Sequence, residues 1–414
     1  MWSKQWFGGF DSGPAYPRQA TLLIKSGYPR IPANSKEQTM SNQQIVISGV
    51  GLWTPPHQIS NEELVVSYNA FADRYNAEHQ TAIDAGELAA KPHSSAEFIE
   101  KASGIRSRYV YVKDGILDPA RMTPKIPLRA EGDLSDQAEI AVEAAKKALA
   151  AANKPASDID AVIVSCAYTQ RYYPAIAIEV QEALGIKGFG FDMLVACSAA
   201  TFALQRAYEM VAAGTARAVL TINPELTSPQ NNFRDRDSHF IFGDVATATI
   251  IERQETSSSE HCYDILTTQA ETIFSNNIRS NIGYMVNAND DDPYREYNYF
   301  HQEGRKVFKE VCPMAAAHIE ASVEKAGLAV SDIKRWWLHQ ANINMNDLIA
   351  RRLLGRDPNP DEAPVVLDQY ANTASAGSLI AFNLHHEDLE AGDLGVICSF
   401  GAGYSIGSLV LRKL

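Results

Sequence analysis

The feature that most constrains this fold is a run of elements that occurs twice along the chain. In each copy an amphipathic helix is followed by a short loop with the triplet Ser-Asp-Ile, and then by a buried strand. The triplets lie at residues 157–159 and 331–333. One triplet alone would mean little, but the matching order of elements around both copies indicates an internal duplication. Alternating helices and strands predict an α/β protein with mixed, largely parallel sheets.

The duplication divides the chain into two similar halves. The length of 414 residues allows one large domain or a few ordinary ones. We expect α/β halves at residues 41–255 and 256–414, packed as one body. Residues 1–40 show no sustained periodicity and lack the continuous apolar core of a signal peptide, so we expect a poorly ordered N-terminal extension there.

Hydrophobic periodicity assigns the individual elements. A buried strand that ends in a Gly-rich turn is expected within 44–55, and residues 61–101 are helical in pattern but fairly polar. Residues 113–133 are interrupted by prolines and predict an irregular cap or lid. The remaining predicted elements are helices at 134–154, 176–185, 198–214 and from 312, and strands at 106–112, 160–167, 191–196, 216–225, 239–252, 334–338 and within 393–414.

The composition narrows the classes of function. With 45% hydrophobic and 21% charged residues it is typical of a soluble globular protein, and no apolar run approaches the roughly 20 residues of a membrane span. A net charge of −13 argues against nucleic-acid binding, which depends on basic surface. The cysteines are widely spaced without a CxxC pair, which argues against a disulfide framework or a zinc site and favours a reducing cytoplasm: Cys166, Cys197, Cys262, Cys312 and Cys398.

Cys197 lies at the corner where the predicted strand 191–196 meets a helix. The N–H groups and the dipole of that helix N-terminus favour a thiolate, and the small residues around the cysteine leave room for a substrate. Cysteine is also one of the most frequently buried residue types, so a structural role is the better interpretation of any single cysteine. The other four cysteines keep that interpretation.

Two polar residues in the second half lie at comparable corners. His339 follows the buried strand 334–338, and Asn372 precedes a run of very small residues. Each alone is more often structural, as a satisfied histidine or a turn asparagine. The Gly-rich segment 400–404 can bring its backbone close to another group. Ligands bind to α/β sheets at the ends of strands and at the loops that follow them. Taken as a set, Cys197, His339 and Asn372 are therefore better explained by a shared site than by three separate structural roles.

The order Cys, His, Asn alone is compatible with more than one class of enzyme. Papain-like proteases have the same order, but their CG-[SA]-C-[WY] signature is absent and Cys197 lies deep in the chain. More specific are VACSAAT around Cys197, HQAN around His339, ANTASAGS around Asn372, FGDVATA at 242–248 and the terminal FGAGYSIGSLVLRKL. From about Ile45 to the C-terminus, the chain resembles the β-ketoacyl-acyl-carrier-protein synthase III family of the thiolase superfamily.

The resemblance implies a thiolase-like fold, a five-layered αβαβα body with duplicated halves that is usually a homodimer. It implies that Cys197 takes an acyl group from acyl-CoA while the backbone N–H groups of Cys197 and Ala402 bind the oxyanion. His339 and Asn372 then hydrogen-bond the thioester carbonyl of malonyl-acyl carrier protein (malonyl-ACP) and stabilise the enolate that forms as CO2 leaves. The enolate attacks the acyl-cysteine to give a β-ketoacyl-ACP, without a metal or a redox cofactor.

Several positions depart from the family pattern. In the segment that helps to bind the CoA nucleotide, Phe98 replaces a tryptophan, and Lys101 lies beside the alanine that replaces an arginine. Asn344 replaces a basic residue implicated in docking the carrier protein. Arg351 and Arg352 could supply a basic patch for the acidic carrier, although an interpretation as ordinary cations near a helix C-terminus is equally good.

The acyl pocket is a further point of difference. Segments 65–97 and 113–133 are longer than in short, acetyl-primed members of the family. Tyr173 occupies the place of a family aromatic that reaches into the acyl pocket of the partner subunit, and Phe400 is expected to pack near the nucleophile. The remodelled cap predicts a medium-chain acyl-CoA primer.

Three other functions stay open at this point. The first is non-decarboxylative condensation of two acyl-CoAs, which needs a carboxylate base that the sequence does not identify. The second is acyl transfer to an oxygen or nitrogen acceptor, whose enzymes often lack the His–Asn pair. The third is a non-catalytic subunit of a condensing complex, against which the intact set of Cys197, His339 and Asn372 counts.

Overall fold

The structure is a computed structural model that describes residues 44–284 and 299–414. The predicted extension at 1–40 lies outside the described residues and stays a prediction.

The strands are β1 (Ile45–Trp53), β2 (His57–Ser60), β3 (Ser107–Val110), β4 (Ala161–Cys166), β5 (Phe189–Leu194), β6 (Ala218–Glu225), β7 (Val245–Arg253), β8 (Tyr263–Ser275), β9 (Ile278–Arg279), β10 (His301–Gln302), β11 (Ile333–Leu338), β12 (Leu394–Gly401) and β13 (Gly403–Lys413). The helices are α1 (Asn61–Glu78), α2 (Gln80–Asp84), α3 (Ala96–Ser103), α4 (Asp136–Ala151), α5 (Ile176–Leu184), α6 (Ala199–Ala212), α7 (Gly304–Lys325), α8 (Ile343–Leu354), α9 (Leu367–Tyr370) and α10 (Gly377–Leu384).

Nine of the described strands form one mixed sheet. Its spatial order is β11-β12-β13-β8-β1-β7-β6-β4-β5. The neighbours β8 and β1 pair at Val46 with Asp264 and at Ile47 with Tyr263, and this short contact joins the two halves. Of the pairings in this sheet, β11–β12, β6–β4 and β4–β5 are parallel and the others are antiparallel. The sheet is mixed as predicted, but the expectation that it is largely parallel is wrong.

The antiparallel pairs follow from the way each half is built. In each half the first strand lies antiparallel beside the last, β1 beside β7 and β8 beside β13. The last strand is also antiparallel to the one before it, because no crossover helix separates β6 from β7 or β12 from β13. The set β4-β6-β7-β1 therefore has the same order and directions as β11-β12-β13-β8. The boundary of the halves near residue 255 stays a prediction.

The two Ser-Asp-Ile triplets occupy equivalent places in this topology. The Ser and Asp of each triplet lie in a short 3-10 turn, Ala156–Asp158 or Val330–Asp332, and the Ile follows the turn on the way into β4 or at the start of β11. Beside β11 no strand corresponds to β5 in the described residues, but the backbone N–H of Trp336 donates to the carbonyl oxygen of Glu362 at 2.7 Å. An irregular segment thus lies against β11.

Helices cover both faces of the sheet and fill the space between its halves. α6 and α10 form the central core together with residues from both halves, such as Ile163 and Leu409. α4 and α5 pack on the other face of the first half, and α7 and α8 pack on the other face of the second. The order of helix, sheet, helix, sheet, helix confirms the predicted five-layered, thiolase-like αβαβα fold.

Local signals account for several helix ends. Ser135 caps α4 by accepting a hydrogen bond from the backbone N–H of Ala138, and α5 ends at Gly185 with a φ of 68°. α7 begins at Gly304, earlier than the predicted start at 312, because its first turn is polar and shows no apolar period. β7 begins later than predicted, since residues 239–244 form a loop.

A fourth apolar cluster forms a cap that includes residues from α1 and α3. The guanidinium of Arg108 is buried in the cap and donates hydrogen bonds to the carbonyl oxygens of Ile59 and Phe240 and to Oδ1 of Asn61. Residues 113–133 contain no helix or strand, as the prolines predict. Within the described ranges, no helix has the length and apolar character that crossing a membrane would need.

The contact between α4 and β1 gives a test of this packing. A Cβ at Gly51 would lie 2.2 Å from the carbonyl oxygen of Ala144 and 2.5 Å from the backbone nitrogen of Ala148. Because helix backbone cannot swing away, we expect Gly51→Ala to cost about 1–3 kcal/mol of unfolding free energy and to lower the Tm. Gly304→Ala is the matched control, since a Cβ there meets only Gln302 Nε2, at 4.0 Å. Equal melting temperatures for the two variants would contradict the packing.

Candidate active site

Cys197 lies in the short 3-10 turn Ala196–Ser198, between the end of β5 and the start of α6. The turn begins in the left-handed backbone region, with a φ of 46° at Ala196. That conformation costs a non-glycine residue about 1–3 kcal/mol and persists only where the surroundings fix it. Ser198 supplies one such anchor, because its Oγ donates to the carbonyl oxygen of Ser405 at 2.7 Å.

An inner cavity of about 460 Å³ opens beside Cys197. Residues from both halves line it, among them Phe242, Ala374 and Ala402. The end of β12 comes very close to Cys197, since a Cβ at Gly401 would lie 2.6 Å from the Cβ of Cys197. No side chain fits at that position, so a glycine is required there. The predicted oxyanion residue Ala402 follows directly and lies in the cavity wall.

His339 follows directly after β11. Its backbone N–H donates to the carbonyl oxygen of Cys398 at 2.8 Å, which continues the pairing of β11 with β12. Its ring packs edge-on against Phe400, with 5.1 Å between the ring centroids. Phe400 precedes the glycine that contacts Cys197, so one short backbone segment connects the imidazole to the nucleophile. Burial lowers the pKa of His339 to about 4, which keeps the imidazole neutral near pH 7.

Asn372 lies in a turn that pairs with the loop before β7. Its backbone N–H donates to the carbonyl oxygen of Ile241 at 2.9 Å, and its carbonyl oxygen accepts from the N–H of Gly243 at 3.1 Å. The side-chain Oδ1 accepts from the backbone N–H of Ala374 at 2.9 Å. With Oδ1 engaged in this way, the Nδ2 group is the part of the amide that can donate to a ligand. Ala371 and Ala374 have φ values of 56° and 47°, so the turn is strained on both sides of Asn372.

The structure links the elements that carry the three predicted residues. The turn that holds Cys197 packs against β12 and against the turn Ala374–Ala376 that follows Asn372. β12 in turn carries the Phe400 ring that contacts His339. Among residues 44–284 and 299–414, no three His, Cys, Asp or Glu side chains are grouped as metal ligands would be. Of the three predicted residues, Cys197 alone lines the inner cavity.

The charge state of Cys197 differs from the expectation drawn from the sequence. Burial raises the pKa of the Cys197 thiol to about 12, and the negative charge of Glu225 adds to this rise. A hydrogen bond from the backbone N–H of Cys197 lowers the pKa, but by less. The helix N-terminus was expected to favour a thiolate. In the structure, the cost of placing a charge away from water exceeds the stabilisation from the helix end, so the Cys197 thiol is neutral near pH 7.

An outer cavity of about 600 Å³ continues from the inner one. The two cavities share Ala167, Leu194 and Gln230 among their lining residues. Tyr172 and Ile282 belong to the wall of the outer cavity alone. A ligand attached to Cys197 therefore has room to extend well beyond the inner cavity.

Neither of the two residues predicted for the acyl pocket lines a cavity of its own chain, and their contact with an acyl chain stays a prediction. Tyr173 is 76% exposed and lines neither cavity of its own chain, whereas its neighbour Tyr172 lines the outer one. Phe400 is 2% exposed and packs on His339 in the core of the second half instead of lining the inner cavity. The residue types were visible in the sequence, but the direction of each ring depends on the backbone that carries it.

The predicted CoA contacts lie on α3 at the edge of the cap. Phe98 lies beneath the guanidinium of Arg236, whose central carbon is 3.8 Å from the ring centroid. Lys101 is exposed on the same helix. The sequence did not indicate Arg236, because it comes from a distant loop between β6 and β7.

A basic groove was also not anticipated. Of the two arginines predicted for carrier docking, Arg351 forms an ion pair with Asp357 at 2.6 Å and Arg352 is exposed at the end of α8. A groove of about 530 Å³ lies at the start of α7, lined by Arg305, Lys306, Lys309, Asn342 and Asn344 among others. Three cations within five residues of the sequence were a signal that could have identified this surface.

Comparison with known proteins supports one family. The family described as 3-oxoacyl-[acyl-carrier-protein (ACP)] synthase III matches residues 191–270, and its C-terminal domain matches residues 323–413. A beta-ketodecanoyl-[acyl-carrier-protein] synthase from Pseudomonas aeruginosa is 55% identical over 347 residues, which cover 84% of this chain and 99% of that protein. The chain belongs to the β-ketoacyl-ACP synthase III family.

Further members of the synthase III family agree with this assignment. A beta-ketoacyl-[acyl-carrier-protein] synthase III from Roseobacter denitrificans is 30% identical over 286 residues, which cover 68% of this chain and 85% of that protein. The crystal structure of a 3-oxoacyl-[acyl-carrier-protein] synthase III from Aquifex aeolicus matches with a TM-score of 0.68 at 24% identity, covering 89% of this chain and 99% of that one. The latter comparison concerns the fold alone.

The state of the thiol in this synthase can be measured directly. Because the pKa of Cys197 is raised to about 12, only a small fraction is thiolate near neutral pH. We expect iodoacetamide to alkylate Cys197 more slowly than it alkylates glutathione at about pH 7. The rate of Cys197 alkylation should still be rising with pH at about pH 9. Peptide mass spectrometry gives the rate, with Cys197→Ala as the control for the other cysteines. A plateau below about pH 8 would show that the thiol pKa is not raised.

Proposed function

We propose that this protein is a β-ketoacyl-ACP synthase III that condenses a medium-chain acyl-CoA with malonyl-ACP. The observation that carries the proposal is that the Cys197 turn lines a two-part cavity and packs against the turn that follows Asn372 and against β12, whose Phe400 ring contacts His339. The similar synthase from P. aeruginosa is named for a β-ketodecanoyl product. Ten carbons less the two that malonyl supplies leave eight, so octanoyl-CoA is the expected primer.

The first step is acylation of Cys197. Its sulfur attacks the thioester carbon of the acyl-CoA, CoA leaves as the thiol, and the proton of Cys197 is taken up by the leaving sulfur. The oxyanion of the tetrahedral intermediate accepts hydrogen bonds from the backbone N–H groups of Cys197 and Ala402. Such a donor typically contributes about 3–4 kcal/mol to the stability of the transition state.

The second step is decarboxylation of malonyl-ACP. The malonyl thioester carbonyl accepts hydrogen bonds from the imidazole of His339 and from Nδ2 of Asn372. As the bond to the carboxylate carbon breaks, its electrons pass to the thioester enolate that these donors stabilise. The lowered pKa of His339 suits this role, because a neutral ring donates an N–H without holding a permanent charge in the site. The enolate carbon then attacks the acyl-cysteine and expels the Cys197 thiolate, which takes up a proton.

Two surfaces near the cap are suited to the groups that carry the substrates, one to CoA and the other to the acyl carrier protein. The Arg236 guanidinium stacked on Phe98 is suited to a flat adenine ring, which a cation and an aromatic face can both contact. The basic groove at the start of α7 is suited to an acidic carrier protein, because local positive charge can attract it despite the net negative charge of the chain.

The edge of the sheet is suited to a second copy of the chain. β5 is the last strand on its side of the described sheet, and its residues Phe189 and Leu194 are 42% and 54% exposed. A strand edge with exposed apolar side chains is a place where another strand can pair. Tyr173 is also exposed, in keeping with its expected contact with the partner's acyl pocket.

The non-decarboxylative alternative needs a carboxylate that reaches the substrate. Glu225 is a carboxylate near Cys197, but it lines neither cavity and its oxygens accept hydrogen bonds from backbone and from Ser375. It is therefore not placed to remove a proton from a bound acyl chain. Acyl transfer alone would leave the donors His339 and Asn372 without a role.

Substitution of the donors separates the two steps. We expect His339→Ala and Asn372→Ala to be acylated by octanoyl-CoA, whereas their condensation with malonyl-ACP falls by about 10²–10³-fold because the enolate loses a donor. Cys197→Ala should not be acylated at all. Mass spectrometry of the protein follows acylation, and release of labelled CO2 follows condensation. Unchanged condensation in both donor variants would contradict the assignment.

The outer cavity predicts the chain length of the primer. Thr169 lines the outer cavity and not the inner one, so Thr169→Trp should fill space that only a longer acyl chain needs. We expect the kcat/KM for octanoyl-CoA to fall by about tenfold or more and that for butyryl-CoA to change by less than about threefold. Thr169→Ser is the matched control. An equal loss with both primers would show that the chain does not extend into the outer cavity.

A further inference from the structure

Glu225 is a buried carboxylate near Cys197 that the proposed mechanism does not use. It is the last residue of β6, and its exposed fraction is 0%. Its oxygens accept hydrogen bonds from the backbone N–H of Ala167, at 3.1 and 3.2 Å, from the backbone N–H of Ser375 at 3.1 Å, and from the hydroxyl of Ser375. All of these donors are neutral, and in the described part of the chain no Lys or Arg pairs with it. A buried carboxylate without a cation is costly, so its presence calls for an explanation.

The donors belong to two different parts of the site. Ala167 follows β4 and lines both the inner and the outer cavity. Ser375 lies in the turn Ala374–Ala376, whose first residue donates its N–H to Oδ1 of Asn372. One carboxylate therefore connects the wall of the acyl cavities to the turn that carries the Asn372 amide.

The turn requires such an anchor because its backbone is strained. Ala371 and Ala374 lie in the left-handed region, which a non-glycine residue keeps only when its neighbours hold it there. On one side, the backbone of Asn372 is held by its two hydrogen bonds to the loop before β7. On the other side, the bonds from Ser375 to Glu225 hold the turn.

We propose that Glu225 is a positioning residue, whose carboxylate ties the Asn372 turn to the strand end at Ala167 and so holds the Asn372 amide in place for decarboxylation. This inference rests on the proposed function, because it assigns Asn372 to that step. Glu225 lines neither cavity, so it acts through Asn372 and not on the substrate itself.

The same carboxylate has an electrostatic effect on the nucleophile. Its negative charge opposes ionisation of the Cys197 thiol and adds to the rise in the pKa of that thiol. Burial raises the pKa of Glu225 itself to about 7, while the hydrogen bonds from Ser375 and Ala167 act in the opposite direction. The other titratable groups that face Glu225 are not cations: Asp244, Cys166 and Tyr168.

A neutral variant distinguishes positioning from a general contribution to folding. Glu225→Gln keeps the size of the side chain and removes its charge. We expect condensation of octanoyl-CoA with malonyl-ACP to fall by about tenfold or more, because the hydrogen bonds to Ser375 weaken. Alkylation of Cys197 at about pH 8 should become several-fold faster, because the nearby negative charge is gone. A loosened fold would also speed alkylation, because an exposed Cys197 would return towards the ordinary thiol pKa of about 8.5, so each variant is compared only after its Tm is shown to match that of the wild type.

Glu225→Asp is the matched second variant, and it decides the question if the Gln variant does not fold. It keeps the charge but is too short to reach both Ala167 and Ser375. We expect condensation to fall, while acylation of Cys197 by octanoyl-CoA changes by less than about threefold and alkylation stays close to the wild-type rate. Glu324→Gln, on the exposed face of α7, should match the wild type in every assay.

Each outcome of these assays is informative. Wild-type condensation by either Glu225 variant would overturn the positioning role, and so would a joint loss of condensation and alkylation in Glu225→Gln. If the wild-type protein itself does not condense octanoyl-CoA with malonyl-ACP, the proposed function fails. The alkylation rates would then still show whether Glu225 acts on the Cys197 thiol.

Discussion

The close packing of Gly401 against Cys197 is the contact on which the rest of the site depends. Cys197 belongs to the first half of the chain and Gly401 to the second, and a side chain at 401 would collide with the nucleophile. The halves therefore meet at the backbone of Cys197 itself. Because His339 packs on Phe400, one residue before this contact, the position of the imidazole depends on it too. The duplication gives two similar halves, and the proposed condensation takes place where the turns of the two halves pack together.

The electrostatics of the site suit reactions in which charge is only transient. Burial lowers the pKa of His339 to about 4 and raises that of Cys197 to about 12, so both are neutral near pH 7. A Claisen condensation passes through a thioester enolate and a tetrahedral oxyanion. Fixed N–H donors stabilise such species as they form, without reorganisation at the moment of reaction. The carboxyl group of Glu225 accepts hydrogen bonds from backbone donors and from the Ser375 hydroxyl, and it lines neither cavity.

Much of the fold was predictable because local signals agree with the tertiary structure. The Ser135 cap, the Gly185 stop and the two Ser-Asp-Ile turns each lie where the sequence indicates an end or a start. The strand directions were not predictable, because an apolar run has the same period whether its neighbour is parallel or antiparallel.

The residue types of the site could be predicted from the sequence, but the groups that hold those residues in place could not. The motifs around Cys197, His339 and Asn372 are local in sequence, so they could be recognised. Glu225 could not, because a glutamate at a strand end shows its function only through partners far away in the chain. The raised pKa of Cys197 was missed for a related reason, since a helix N-terminus is visible in a sequence whereas burial is not.

The most direct test of the account is a two-stage experiment with the wild-type protein. The protein is first incubated with octanoyl-CoA, the excess is removed, and peptide mass spectrometry locates the acyl group. Malonyl-ACP is then added, and the protein mass, the CO2 released and the ACP product are measured. The account predicts one octanoyl group on Cys197, its loss on addition of malonyl-ACP, and one CO2 released for each β-ketodecanoyl-ACP formed. Acylation at another residue, or an acyl group that leaves without release of CO2, would contradict it.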